Sequence, residues 1–167
     1  MLIKAYGEFW NPFLTDWKRS RLDGKAKIEV TRGGAQVKLT HTINFWDGMG
    51  IYVLLNDFKP VYVGQSINLG PRLAAHLTDR FAGRWDMFSW YSVCKPNTTS
   101  GTVNKPSARH VTMPTLINTL EAFGILVANP ALNRKREKLP KAIEFDQLTS
   151  NNPRSVREYL EAILAKV

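Results

Sequence analysis

A single cysteine, Cys94, among 167 residues excludes an internal disulfide and any cysteine-built zinc site. The three histidines, His41, His76 and His110, are too scattered to form an H-x3-H pair of metal ligands. No apolar run is long enough to span a bilayer; the most apolar stretch, LEAFGILVANPAL, is short and interrupted. The opening MLIKAYGEFW lacks the uninterrupted apolar stretch of a signal peptide. These absences point to a soluble protein of a reducing compartment, the cytoplasm. Acidic residues are also few, 14 against 23 Lys and Arg, for a formal charge of +9. A small chain this basic meets an anionic partner, and nucleic acid is the first candidate. The plainer alternative is a soluble protein that is merely basic. With 44% hydrophobic residues, the chain has enough apolar surface for one core and is not disordered by composition.

The charge is spread evenly. Residues 1–49 hold eight basic and five acidic residues, 50–133 seven and four, and 134–167 eight and five, so each part carries +3. A basic face made by folding is therefore expected, rather than a basic tail. Residues 1–33 begin aromatic (Phe9, Trp10, Phe13, Trp17), turn basic in KRSRLDGKAK, and give no clear element. After the turn signal Gly33-Gly34, apolar residues alternate at Val37, Leu39, Ile43 and Phe45, a strand period. GIYVLLN and VYVGQS flank a short turn at Asn56, Asp57 and Pro60 and read as a hairpin.

NLGPRLAAHLTDRF is expected to be helical, with Asn68 as cap, Pro71 in the first turn, and Leu69, Leu73 and Leu77 on the core face. MFSWYSV reads as a strand, and the acid-free stretch 95–110 as an exposed loop. MPTLINTLEAFGILVA reads as a helix with an apolar stripe of Leu116, Leu120, Phe123 and Val127, ended by Asn129-Pro130. PRSVREYLEAILAK reads as an amphipathic helix with Val156, Leu160, Ile163 and Leu164 inward.

Three features carry chemistry. If Leu55 faces Val61 across the turn, Tyr52 faces Gly64 and Tyr62 faces Leu54. The period of two then puts Tyr52, Tyr62 and Gly64 on one sheet face, with room beside Tyr52 for a substrate. Two strand tyrosines alone are more often simply good strand residues. Next, Arg72 and His76 stand i,i+4 on one helix edge, and the start of that helix points N–H groups at an anion. A guanidinium fork beside an imidazole suits a phosphate, although any single such pair is commonly a solvated edge. Last, Glu121 interrupts an apolar helix. Buried there it needs a cation, and a hard oxygen ligand suits Mg2+; on the outer edge it needs nothing.

Taken in order, Gly50-Ile51-Tyr52, Tyr62-Val63-Gly64, the R-x3-H of Arg72 and His76, the lone Glu121 and the P-x-L-N ending at Asn133 resemble the GIY-YIG nucleases over about residues 50–133. Val63 stands where the family has isoleucine, and Gln65 is uncharged and receives no catalytic role. The resemblance implies a mixed α/β (α+β) fold with a small, mostly antiparallel central sheet flanked by helices. Residues 1–49 would be an extension packing on or extending that domain. Residues 134–167 would add a basic segment and a C-terminal helix, the whole forming one compact domain.

The resemblance also implies Mg2+-dependent hydrolysis of nucleic-acid phosphodiesters, with Mn2+ able to substitute. Tyr52 would be the general base or the phenol that positions water, with Tyr62 beside it. Arg72 would clamp the phosphate, His76 would handle or orient a proton, Glu121 would hold the metal and Asn133 would steady the site. Contacts to nucleic acid are expected at Gly64 and Gln65, at Arg80 and Arg84, and at Lys95, Lys105 and Arg109 in the acid-free stretch. Arg134, Lys135 and Arg136 in NRKREK complete the set, and KRSRLDGKAK is a further place for grip. Trp85 and Trp90 are expected in the core more often than stacked on bases. DNA is the expected partner, with low intrinsic sequence selectivity unless a protein partner supplies it. The alternatives are a nucleic-acid-binding subunit on a nuclease scaffold within a repair, restriction or defence complex, and an RNA-directed nuclease.

Overall fold

The computed structural model describes residues 2–107, 111–128, 139 and 141–148. In chain order the strands and helices are β1 (Ala5–Trp10), β2 (Asp23–Arg32), β3 (Ala35–Asn44), β4 (Gly50–Asn56), β5 (Lys59–Ser66), α1 (Leu69–Ala75) and β6 (Met87–Ser92). They continue as β7 (Lys95–Asn97), β8 (Thr102–Asn104), α2 (Met113–Ala128), β9 (Ile143–Glu144) and β10 (Asp146–Gln147). The fold is mixed α and β, with strands predominating in three sheets and two helices among the described residues. No helix among these residues is long and apolar enough to cross a membrane.

The main sheet has the order β5-β4-β6-β1-β9, antiparallel except where β9 runs parallel to β1. β1 thus sits inside the sheet, whereas β2 and β3 form a separate sheet with β10. The inner strands read as continuous apolar runs because both of their faces are interior. On one face Tyr52, Leu54, Phe88 and Trp90 pack with Leu69 and Leu73 of α1, and with Phe45, Ile43 and Phe145. On the other, Val53, Leu55, Tyr91 and Tyr6 pack with Ala122 and Leu126 of α2. The alternation of β4 therefore assigns α1 and α2 to opposite faces. Trp85 and Trp90 are both buried, as core residues.

The β4–β5 hairpin has Tyr52 opposite Gly64 and Leu54 opposite Tyr62, as expected. At the tip the register differs: a bulge leaves Val61 unpaired and sets Leu55 opposite Pro60. The cause is the turn, where Asp57 and Phe58 both have positive φ (50° and 61°) in a tight two-residue loop. Asp86 holds that loop through hydrogen bonds from the Asp57 N–H. Pro60 is tolerated because β5 is an edge strand.

α1 is shorter than its pattern suggested. It ends at Ala75, and the chain continues through turns to Arg84. The side chain of Asn68 makes no cap bond to the helix and accepts from Lys105 instead. Once the helix stops, the 100° step between residues no longer applies. Leu77 emerges on the surface and His76 takes the buried place. The acid-free stretch contains a small hairpin of β7 and β8, so it is not wholly loop. In α2 the buried face is Thr119, Ala122 and Leu126; Phe123 and Val127 are partly buried, and Leu120 is exposed. The expected C-terminal helix, Asn129-Pro130 and the NRKREK segment lie outside the described residues.

Candidate active site

On the α1 side of the sheet, four of the expected residues meet. The Tyr52 hydroxyl lies 2.7 Å from His76 Nε2, and Arg72 Nε donates to the same hydroxyl at 3.1 Å. The Tyr62 ring stands 6.1 Å from that of Tyr52 and 5.6 Å from that of His76. Each position follows from the local fold. Tyr52 and Tyr62 point to one sheet face through the two-residue period. Arg72 leans over them from α1, and His76 enters where the helix ends. Phe81 closes the far side, 4.5 Å from the Tyr62 ring and 5.1 Å from His76.

Gly64 has a different role from the one expected. The space opposite Tyr52 is taken by Tyr52 itself, whose hydroxyl occupies the place a Cβ on Gly64 would need. The glycine therefore lets the phenol lie flat across β5 and reach His76. Tyr52 and His76 are both fully buried, while Arg72 is exposed and lies over the phenol as its cover.

Asp79, which the sequence pattern did not single out, completes the chain. Its Oδ2 is 2.7 Å from His76 Nδ1, and its Oδ1 accepts from the Phe81 N–H at 2.8 Å. Burial would raise its pKa. The Phe81 amide, the His76 hydrogen bond and the nearby positive charges outweigh that, so the carboxyl is held below its ordinary 3.8. An ionised Asp79 accepts only, so Nδ1 carries the proton and Nε2 is left to accept from the phenol. Burial pushes the Tyr52 phenol above its ordinary 10.0, against the pull of the Arg72 hydrogen bond and charge, with Tyr62 acting in the direction of burial. The phenol rests protonated at neutral pH, with a proton acceptor already in contact. The signal for Asp79 was present as the i,i+3 step after His76, in HLTD.

The anion site expected at the start of α1 is absent. The Leu69 N–H is bonded to the Gly48 carbonyl and the Gly70 N–H to that of Trp46, both at 2.8 Å. Any phosphate here is met by side chains alone.

Glu121 does not join the cluster. It is exposed on α2, and its neighbour Ala122 packs on the opposite face of the sheet. Its carboxylate is therefore solvated and needs no cation. No group of three His, Cys, Asp or Glu side chains suited to a metal occurs among the described residues. Glu121 therefore stands apart from the Tyr52 cluster, on the side of the sheet that α2 covers. Asn133, Arg109, Arg134, Lys135 and Arg136 lie outside the described residues.

Of the other expected contacts, Arg80 is exposed and lies 4.7 Å above the Phe81 ring, beside the cluster. Arg84 is exposed in the turn that follows. Gln65 is exposed, and the strand period turns it away from Tyr62 and Gly64. Lys95 and Lys105 are exposed on the β7–β8 side. Comparison with known proteins finds no family model that matches the chain, and no curated protein or solved structure that matches it significantly.

Proposed function

We propose that this chain is a nuclease that hydrolyses phosphodiester bonds of DNA, in the manner suggested by its resemblance to the GIY-YIG nucleases. The observation that carries the reading is the unbroken chain Tyr52–His76–Asp79 with Arg72 set over the phenol. A nucleophile or base, its proton acceptor and a third group that orients the acceptor, within hydrogen-bond reach of one another, form a recognisable catalytic constellation. A cation beside it supplies charge where a phosphate gains it.

In this reading Arg72 swings to a non-bridging oxygen of the phosphate and uncovers the Tyr52 hydroxyl. The phenol passes its proton to His76 Nε2, and Asp79 stabilises the imidazolium. The phenolate takes a proton from water as the resulting hydroxide attacks phosphorus; the bond to the leaving oxygen breaks, and that oxygen takes up the proton that His76 returns through Tyr52. His76 is fully buried and acts through Tyr52, so Tyr52 is the group that faces the substrate. No step is assigned to a metal or to Glu121.

Cleavage of single-stranded, duplex and branched DNA and of RNA, with Tyr52→Phe beside the unaltered chain, tests the reading. The expected result is DNA cleavage reduced by about 10² or more in the variant, the usual scale for loss of acid–base catalysis. Full activity in Tyr52→Phe refutes it. The position of Glu121 away from the cluster favours a second reading, a nucleic-acid-binding subunit without its own activity. That reading gains if the unaltered chain binds DNA and cuts none of the substrates.

A further inference from the structure

Neither core accounts for the length of the β2–β3 hairpin. Its ladder runs from Asp23 opposite Asn44 to Arg32 opposite Ala35 with no break in register. Ten residues at the usual rise make an arm of about 34 Å. An isolated two-stranded hairpin is marginal in water, so the base must be anchored. β10 pairs with Gly24 and Lys25, and the Asn44 side chain accepts from the N–H groups of Leu22 and Trp46.

The two faces of the arm differ. One carries Ala26, Ile28, Val30, Val37 and His41, partly covered, and Leu39, exposed. The other carries the pairs Lys25–Thr42, Lys27–Thr40, Glu29–Lys38 and Thr31–Gln36. All eight of these residues are exposed and none is apolar. Three lysines stand with Glu29, with Asp146 of β10 opposite Lys25, and at the base with Asp23, which Arg21 holds; none of the three lysines forms an ion pair among the described residues. Lysines serve phosphates, and hydroxyl and amide groups serve phosphates and base edges. The major groove of B-form DNA, about 12 Å wide, admits a two-stranded ribbon, whereas that of an RNA duplex is too narrow for side chains to read.

We infer that the β2–β3 arm lays its lysine- and threonine-bearing face in the major groove of B-form DNA, holding the duplex against the Tyr52 cluster. The duplex contact stands on the arm alone; its purpose rests on the nuclease reading. The arm is tied to α1, which carries Arg72. Trp46 and Gly48, just past the end of β3, accept the Gly70 and Leu69 N–H groups, and the Trp46 indole fills the space a side chain at Gly70 would need.

The test is DNA binding by the full chain, read by fluorescence anisotropy over a salt series with a labelled duplex. Each lost phosphate contact lowers the slope of log K against log salt by about 0.9, so Lys25→Gln/Lys27→Gln should lower it by about 1.8. Lys25→Arg/Lys27→Arg should keep the slope. The bound chain should protect guanine N7 from methylation, and an RNA duplex of the same sequence should bind at least about tenfold more weakly. An unchanged slope in the glutamine variant, protection confined to the minor groove, or equal binding of the RNA duplex overturns the inference. A chain that shows the full slope and its loss in the glutamine variant, yet cuts nothing, upholds the arm and refutes the nuclease reading. Cleavage by a chain whose slope the glutamines leave unchanged does the reverse.

Discussion

The Tyr52 hydroxyl and His76 Nε2 lie 2.7 Å apart with both side chains sealed from water. The other nitrogen of the imidazole is committed to Asp79 at the same distance, so the tautomer is fixed by a carboxylate that can only accept. With Nδ1 donating to Asp79, the Tyr52 hydroxyl donates to Nε2. Arg72 is the one cation bonded to that hydroxyl among the described residues.

Asp79→Asn tests this ordering. An amide in place of the carboxylate donates to Nδ1 and moves the imidazole proton to Nε2, where it opposes acceptance from Tyr52. The expected loss in kcat is about 10²–10⁴ with little change in KM, the scale seen when a catalytic imidazole is held in the wrong tautomer. Asp79→Glu should restore part of the rate. A rate unchanged in Asp79→Asn, measured across pH, would show that Asp79 has only a structural role.

Gly64→Ala should damage the site from the neighbouring strand. The added methyl collides with the Tyr52 hydroxyl, at a cost of about 1–3 kcal/mol for a well-packed interior. Gly124→Ala is the contrasting variant. Nothing lies near its missing side chain, so alanine in the helix should stabilise by about 0.5–1 kcal/mol. Denaturant titration of the two variants should give shifts of opposite sign.

Glu121→Ala should leave DNA cleavage within about twofold of the unaltered chain and stability within about 0.5 kcal/mol, as for other exposed sites. Loss of cleavage in this variant, with an unchanged melting temperature, would place the carboxylate back in the chemistry.

Stability should fall at both ends of the pH scale. Asp79 titrates below 3.8 in the fold. Its contribution is complete above that value and is lost as pH falls through the folded pKa. Tyr52 titrates above 10.0, so its contribution is complete below 10.0 and is lost as pH rises through the folded pKa. Thermal melts across pH should show the alkaline decline lessened in Tyr52→Phe and the acid decline lessened in Asp79→Asn.

The hairpin of β4 and β5 was legible because two apolar runs and a polar turn fix both its strands and its facing pairs. Its tip was not, since the positive φ of Phe58 falls on a residue type that gives no warning of it. The meeting of Tyr52, Tyr62, Arg72 and His76 followed from periods of 2 and 3.6 and a short connection. The burial of His76 did not, because helical spacing was carried past the point where α1 ends. The placement of Glu121 was not legible for a related reason: an apolar helix does not state which face of a sheet it will cover. The role of β1 inside the sheet depends on pairing with β6 and β9, far along the chain, which no local pattern records.

β4 and β6 stand as a partition between two separately packed interiors. Loosening α2 by truncating Leu126 removes support from Val53 and Leu55 but leaves no gap next to the phenol. Disturbance on that side reaches Tyr52 only as a displacement of the β4 backbone, so the Tyr52–His76–Asp79 cluster is insulated from whatever touches the outer surface of α2.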